Sequence, residues 1–423
     1  MREMKDSGIE WIGNIPSRWS VVKFKSICTS KSILNSGNRE LLSVYLDRGV
    51  IRYSDSTNMQ VHKPSESLDK YQNVDVGDLV MNNQQAWRGS VGVSKYKGII
   101  SPAYLIYKLS DLCYPNYMNY VFRDCTMVQQ YEYCSRGVGS IQRNVLPQWL
   151  KQALVLLPPL DEQKKIAEFL DAKCSEIDAL VADIQAQIEM LEQYKRSTIA
   201  EAVTKGINHN ADMKDSGYEW IGKTPAIWNF VKGKYLFAQR TSKGNNINLQ
   251  LLSPSQKFGV VPQTLLEELT TQNVVKVKED TDLTTFKTIH IGDFCISLRS
   301  FQGGFEYCRY EGVVSSAYQV FYPTAEICDD YYRFLFKDKG FIEKMNSYTI
   351  SFRDGKNIAF SDFGNTYIPY PPIKEQKEIA KYLCDKTAEI DLCVESKKEQ
   401  IATLEAYKKS IIFEYVTGKK EVV

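Results

Sequence analysis

The stretch PPLDEQKKIAEFLDAKCSEIDALVADIQAQIEMLEQYKRSTIAEAVT, residues 158–204, decides the architecture. Pro158 and Pro159 cannot continue a helix, whereas Asp161 and Glu162 suit a first turn, where carboxylates meet the positive end of the helix dipole. From Glu162 to Thr204 run 43 residues without Gly or Pro, enough for about 65 Å of helix at about 1.5 Å per residue. The apolar positions Leu170, Cys174, Ile177, Val181, Ile184, Ile188 and Leu191 step by 4, 3, 4, 3, 4 and 3, the spacing of a coiled-coil seam.

The stretch then returns. Residues 371–417 align with 158–204 without a gap, offset by 213, and 24 of the 47 positions are identical, where chance gives roughly three. The first-turn acid is now Glu375, and the seam reads Leu383, Thr387, Ile390, Val394, Lys397, Ile401 and Leu404, so Thr387 and Lys397 interrupt it. A shorter pair precedes each half: MKDSGIEWIGNIPSRW at 4–19 recurs as MKDSGYEWIGKTPAIW at 213–228, with 11 of 16 positions identical. The chain is thus two copies of one unit. Two such helices, separated by a whole domain, are expected to pair as an antiparallel coiled coil about a pseudo-two-fold axis. The other arrangement, each helix lying on its own domain, stands beside it.

Between the matched ends the copies mostly disagree while sharing anchors: VDVGDLVM at 74–81 against IHIGDFCI at 289–296, and GIISPAYLIY at 98–107 against GVVSSAYQVF at 312–321. These variable stretches are rich in aromatic and β-branched residues and punctuated by turn signals such as Val76-Gly77-Asp78 and Arg88-Gly89-Ser90. They are expected to be mixed α+β domains of several short strands. The expected order is an entry segment (1–17), a variable domain (18–157), a long helix (158–206), a repeated entry segment or linker (207–226), a second variable domain (227–370) and a second long helix (371–423).

Composition narrows the class. The 423 residues carry 53 Lys plus Arg against 51 Asp plus Glu, with 43% apolar residues, ordinary for a soluble globular chain and too long for one compact core. No stretch approaches the ~18 apolar residues of a membrane helix, and MREMKDSGIEWIGNIP lacks the apolar core of a signal peptide, so the chain reads as cytoplasmic and without membrane contact. Ten Cys (28, 113, 125, 134, 174, 295, 308, 328, 384, 393) form no CxxC pair and no disulfide framework, and with three scattered His a Cys/His zinc site is not expected. The net charge of +2 is an average: +7 over 18–157, −4 over 158–206, +1 over 227–370, zero over 371–423 and −1 in each short remaining piece. A basic first variable domain suits phosphate contact, and an acidic helix suits solvent or protein; the second domain's charge is uninformative.

Gly217 to Thr224 (GYEWIGKT) satisfies the G-x-x-x-x-G-K-[ST] pattern of a nucleotide-binding loop, but no apolar strand precedes it, Glu219, Trp220 and Ile221 fill its interior, and Pro225 follows. The sister copy has Asn14 where Lys223 stands. It is read instead as a linker that docks Trp11 or Trp220 on a neighbouring domain. No Asn-Pro-Pro-aromatic, G-x-S-x-G or H-E-x-x-H motif is present, and no catalytic centre is expected.

Arg can pair bidentately with guanine, and Asn or Gln with adenine. Asn82, Asn83, Gln84 and Gln85, followed by Trp87 and Arg88, make the densest such cluster, and Arg299, Ser300 and Gln302 take the matching place in the second copy. A further cluster precedes each long helix: Arg136, Ser140, Gln142, Arg143 and Asn144, then Ser351, Arg353, Lys356 and Asn357. Any one of these also fits a solvated loop.

Taken together, the sequence resembles the specificity subunit of type I restriction–modification systems. The resemblance rests on Gly-x-Glu-Trp-Ile-Gly-x-x-Pro-x-x-Trp at Gly8 to Trp19 and Gly217 to Trp228, and on Pro-Pro-x-x-Glu-Gln-x-x-Ile-Ala at 158–167 and 371–380. Glu-Ile-Asp at 176–178 and 389–391 and the Gly-Asp pairs at 77–78 and 292–293 extend it over essentially the whole chain. It implies two target-recognition domains, each reading one half of a bipartite double-stranded DNA target, with the paired helices setting the spacer. Dissimilar readers imply an asymmetric target. It also implies a chain that binds no cofactor and is not an enzyme. Its implied partners are two adenine-N6 methyltransferase subunits using S-adenosylmethionine and restriction subunits using ATP and Mg, in a prokaryotic cytoplasm. The rival reading is a non-catalytic protein-interaction scaffold that does not bind DNA. A third, an enzyme using the loop at Lys223, predicts that Lys223→Ala abolishes function while the helices stay intact.

Overall fold

The computed structural model describes residues 2–422 except 36, 38, 47, 57–63, 66, 139–141, 245–248, 271–282, 297–303 and 349–357; of Val138 and Gln142 it describes the backbone alone. The chain is mixed α/β and forms two compact units, one made of Met1–Gln185 and Lys398–Val423, the other of Ala186–Lys397. Both long helices are present, Leu160–Lys205 and Ile373–Val416, and each contributes residues to both units.

Unit 1 is built on a four-stranded antiparallel sheet in the order Cys28–Lys31, Tyr104–Leu109, Leu79–Asn82 and Val91–Val93. The VDVGDLVM anchor forms the turn into the third of these. Gly77 takes φ +89°, a conformation costly to side-chain-bearing residues, and the next residue, Asp78, buries its carboxylate. That carboxylate accepts from the Asp75 amide at 2.8 Å and from Lys31 Nζ, so the anchor ties the turn to the edge strand. Helices Pro115–Arg123 and Cys125–Tyr133 cover one face, with Phe24, Tyr107, Tyr117, Phe122 and Tyr131 in the core. The first turns of the long helix close it: Ile166, Ala167 and Leu170 pack with Ile411, Tyr415 and Val416 of the second long helix, and Phe169 meets Tyr415 at 4.5 Å between rings.

Unit 2 has a sheet in the order Phe237–Arg240, Gln319–Pro323, Phe294–Ile296 and Phe305–Tyr307. Gly292 takes φ +91°, and the buried Asp293 accepts from the His290 amide at 2.9 Å and from Arg240 Nε at 2.7 Å. Its core is more aromatic: Phe237 meets Phe294, Phe321, Tyr332, Phe336 and Phe363 at 5.3–5.8 Å between rings.

The Pro-Pro-x-x-Glu-Gln motif has a structural reason. Gln163 is fully buried at the start of its helix; its Oε1 accepts from the Tyr114 amide, and its Nε2 donates to the carbonyls of Leu112 and Pro158. Gln376, in unit 2, accepts from the Cys328 amide at 2.8 Å and donates to the Pro371 carbonyl at 2.8 Å. A buried amide that satisfies loop backbone on one side and its own helix start on the other fixes how the helix leaves the domain, since unpaired buried backbone groups are costly.

Along the helices the expected stripe faces inward where burial is greatest: Leu170, Cys174, Ile177 and Ile188 in the first, Leu383, Ile390 and Val394 in the second, all buried. Val181, Ile184, Leu191, Ile401 and Leu404 are half-buried. The two interruptions do not point away. Thr387 is nearly buried and its hydroxyl donates to the Cys384 carbonyl, while Lys397 donates to Gln187 Oε1 within unit 2.

The entry segments correct one expectation. Each is a short hairpin, Met4–Asp6 with Asn14–Pro16 and Met213–Asp215 with Lys223–Pro225. Trp11, expected to dock, is 53% exposed, because its turn directs Ile9 and Ile12 inward instead. Trp220 is half-buried against Phe341 at 5.8 Å, and the fully buried tryptophans are Trp19 and Trp228. Lys223 opens a strand paired to Asp215 rather than a helix, which is the wrong setting for a phosphate-wrapping loop.

One buried charge in unit 2 gives a pH dependence. Glu306 is 1% exposed and pairs with Lys337 at 2.5 Å. Burial pushes its carboxyl up to about 7, against the smaller opposing pull of Lys337. A carboxyl whose folded-state value lies above its unfolded one near 4.5 contributes stability that is complete below about 4.5 and lost as pH rises through about 7. Glu306→Gln is therefore expected to flatten the melting temperature between pH 5 and 8, with a gain at pH 8 of up to roughly 3 kcal/mol. Parallel melting curves for parent and variant over that range would disprove this.

Candidate nucleic-acid interface

The first polar cluster follows directly from the sheet of unit 1. Strand Leu79–Asn82 leads into a turn and then the 3-10 turn Ala86–Arg88, which ends at Gly89 with φ +99°. Helix Cys125–Tyr133 packs on this turn, and Val128 would lie 3.5 Å from a Cβ placed at Gly89. The chain then makes the hairpin Ser135–Val138 with Gln142–Val145, whose register sets Arg136 opposite Asn144 and Gly137 opposite Arg143. The Val145 amide donates to the Asn83 carbonyl at 3.1 Å, which joins the hairpin to the polar turn.

This geometry gathers two of the sequence clusters at one ring. The guanidinium of Arg88 lies 4.6 Å from the centroid of Trp87, and that of Arg143 lies 5.1 Å from the same ring. Trp87 is held by its Nε1, which donates to the Gln84 carbonyl at 3.0 Å. Arg143 Nη1 also donates to Glu132 Oε1 at 2.7 Å. Each contact alone is modest: an exposed ion pair contributes about 0.2–1 kcal/mol and an exposed cation–π contact about 0.5–1 kcal/mol. Their joint effect is to fix direction.

The amides divide. Asn82 Oδ1 accepts from the Gln84 amide at 3.0 Å and so shapes the turn, whereas the side chain of Gln84 is exposed and Asn83 and Gln85 are half-buried. Arg136 and Asn144 are exposed. Ser140 lies outside the described residues, as do Arg299, Ser300, Gln302, Ser351, Arg353, Lys356 and Asn357; for Gln142 only the backbone pairing with Val138 is described. The sequence reading missed Glu132 and Tyr133, the last residues of the helix. Tyr133 is 78% exposed. An exposed aromatic beside an Arg-rich hairpin was a readable signal; the acid was not.

Two guanidiniums thus share the Trp87 ring beside a polar turn, an arrangement chemically able to meet phosphates and base edges. Among the described residues no group of three or more His, Cys, Asp or Glu could hold a metal ion, and no helix is long and apolar enough to cross a membrane.

Comparison with known proteins shows what the chain is similar to. Residues 228–406 match the model described as type I restriction modification DNA specificity domain. The chain is 26% identical over 444 residues to the "Putative type I restriction enzyme MjaX specificity subunit" of Methanocaldococcus jannaschii, covering 97% of this chain and 96% of that one. It is 26% identical over 275 residues to the MjaVIII specificity subunit of the same organism, covering 63% and 62%. Among solved structures it shares its fold with a chain from a study of the assembly and conformational transition of the type I R-M system, with TM-score 0.69, 15% identity and 96% and 99% coverage. It also matches the HsdS subunit from Thermoanaerobacter tengcongensis, with TM-score 0.52, 15% identity and 96% and 98% coverage. Over nearly its whole length the chain is thus similar to type I restriction–modification specificity subunits.

Proposed function

We propose that this chain is the DNA sequence-recognition subunit of a type I restriction–modification complex, with unit 1 and unit 2 each reading one half of an asymmetric bipartite target. The observation that carries this is the likeness to specificity subunits along nearly the whole chain, joined to different residues on a common sheet plan in the two units. In unit 1 the reading side chains are Asn83, Gln84, Gln85, Arg88 and Arg143, with Asn82 shaping their turn. In unit 2 the proposed readers are Arg299, Gln302, Arg353 and Lys356. The chain is non-catalytic, and methyl transfer and cleavage belong to two methyltransferase subunits and to restriction subunits that dock on it.

The long helices are proposed to pair antiparallel and to set the distance between half-sites. In unit 1 Phe169 meets Tyr415 and Asp178 meets Lys408, and in unit 2 Gln187 meets Lys397 and Lys195 meets Asp391, so within each unit rising positions on one helix meet falling positions on the other. Inserting one heptad in step into both helices is expected to change the non-specific spacer and leave both half-sites intact; a changed half-site would contradict the ruler. The reading itself is tested by duplex DNA affinity of the chain with its methyltransferase partner. Specific binding that falls with salt supports it. Salt-independent or absent binding returns the chain to a protein scaffold.

A further inference from the structure

Glu132 is out of place by two elementary criteria. It lies in the last turn of helix Cys125–Tyr133, where the helix dipole disfavours a carboxylate and the turn itself holds no basic residue. It also sits beside guanidiniums on the surface proposed to meet a polyanion, where a negative charge opposes approach. Its carboxylate accepts from Arg143 Nη1 at 2.7 Å, and Arg143 lies 5.1 Å from the Trp87 ring that also carries Arg88 at 4.6 Å.

Three restraints therefore act on the Arg143 head: the ring beneath it, the carboxylate at one edge, and the hairpin strand that is joined to the Asn83 carbonyl. A long, rotamer-rich side chain held this way loses less freedom when it binds, and only a planar partner in the fixed direction satisfies it. The base edge that suits a fixed guanidinium fork is guanine O6 and N7. A phosphate, reached from many directions, needs no such aim.

We infer that Glu132, with Trp87, positions Arg143 to read a guanine in the half-site of unit 1, and that Glu132 sets selectivity while opposing affinity. The inference rests on the reading of this surface as a DNA reader. It separates positioning from support of the fold. Loss of a merely structural contact weakens all binding together, whereas loss of Glu132 releases Arg143 and removes a repelling charge, so selectivity falls as non-specific binding rises.

The test uses the full chain co-expressed with its methyltransferase partner, with N6-methyladenine mapped across the genome and duplex affinity measured at two salt concentrations. For Glu132→Ala the guanine position of one half-site is expected to relax, with selectivity falling about tenfold and binding to unrelated duplex rising severalfold. Glu132→Asp is expected to retain the guanine. A parent-like motif in Glu132→Ala, or weaker binding to every duplex with the motif unchanged, overturns the inference. Arg143→Ala run alongside separates the two levels: if it alters the motif and Glu132→Ala does not, the reader stands and the positioning role falls. If neither alters a motif that the parent writes, this surface is not the reader.

Discussion

Phe237→Ala is expected to remove about 3–5 kcal/mol from unit 2, the cost of truncating a large aromatic ring in a packed core. The ring is fully buried and touches five others, drawn from two strands, two helices and the turn after helix Asp329–Leu335 of that unit. A cavity there cannot be filled from one side without disturbing the others. Phe237 also begins the strand that carries Arg240 to Asp293, so the Gly-Asp turn loosens with it. Hydrogen exchange checks this locally: protection should fall in Phe294–Ile296 and Gln319–Pro323 and persist in Cys28–Lys31 of unit 1. Unchanged protection in unit 2 would show that the core is not organised around this ring.

Arg143→Ala is the second large effect. A bidentate arginine–guanine contact discriminates by about 1–3 kcal/mol, so the variant should lose roughly tenfold to hundredfold preference at one base pair, all of it in the half-site of unit 1. Competition binding with duplexes altered one base pair at a time reads this directly. Uniform weakening across all duplexes would instead make Arg143 a phosphate contact, which positions the chain without reading sequence.

The long helices were legible because 43 residues without Gly or Pro, opened by Pro-Pro and repeated at an offset of 213, leave little other choice. The interrupted seam was less so. Sequence alone marks Thr387 and Lys397 as breaks, whereas the bond from Lys397 to Gln187 turns one break into a polar contact. The Gly-Asp anchors were visible as shared words, but not their purpose, since Asp78 finds Lys31 at a separation of 47 and Asp293 finds Arg240 at 53. Such partners follow from sheet order, which one sequence does not specify. The same limit governs the site. Arg88 and Arg143 were both singled out by residue type, but that they share Trp87 depends on the hairpin folding back over the turn. Glu132 carried no signal, because an acid on a helix ordinarily reads as a solvated charge. Trp11 misled for the opposite reason: a large apolar residue suggests burial, and the turn at Gly13 spends its inward positions on Ile9 and Ile12.

The central claim, that one chain reads two unlike half-sites, is tested most directly by mapping N6-methyladenine in a genome that carries this chain and its methyltransferase partner. The account predicts a single bipartite, asymmetric motif, two specified halves around a fixed-length unspecified spacer, present only when the chain is expressed. A palindromic motif, a continuous motif without a spacer, or methylation that does not depend on the chain would contradict it.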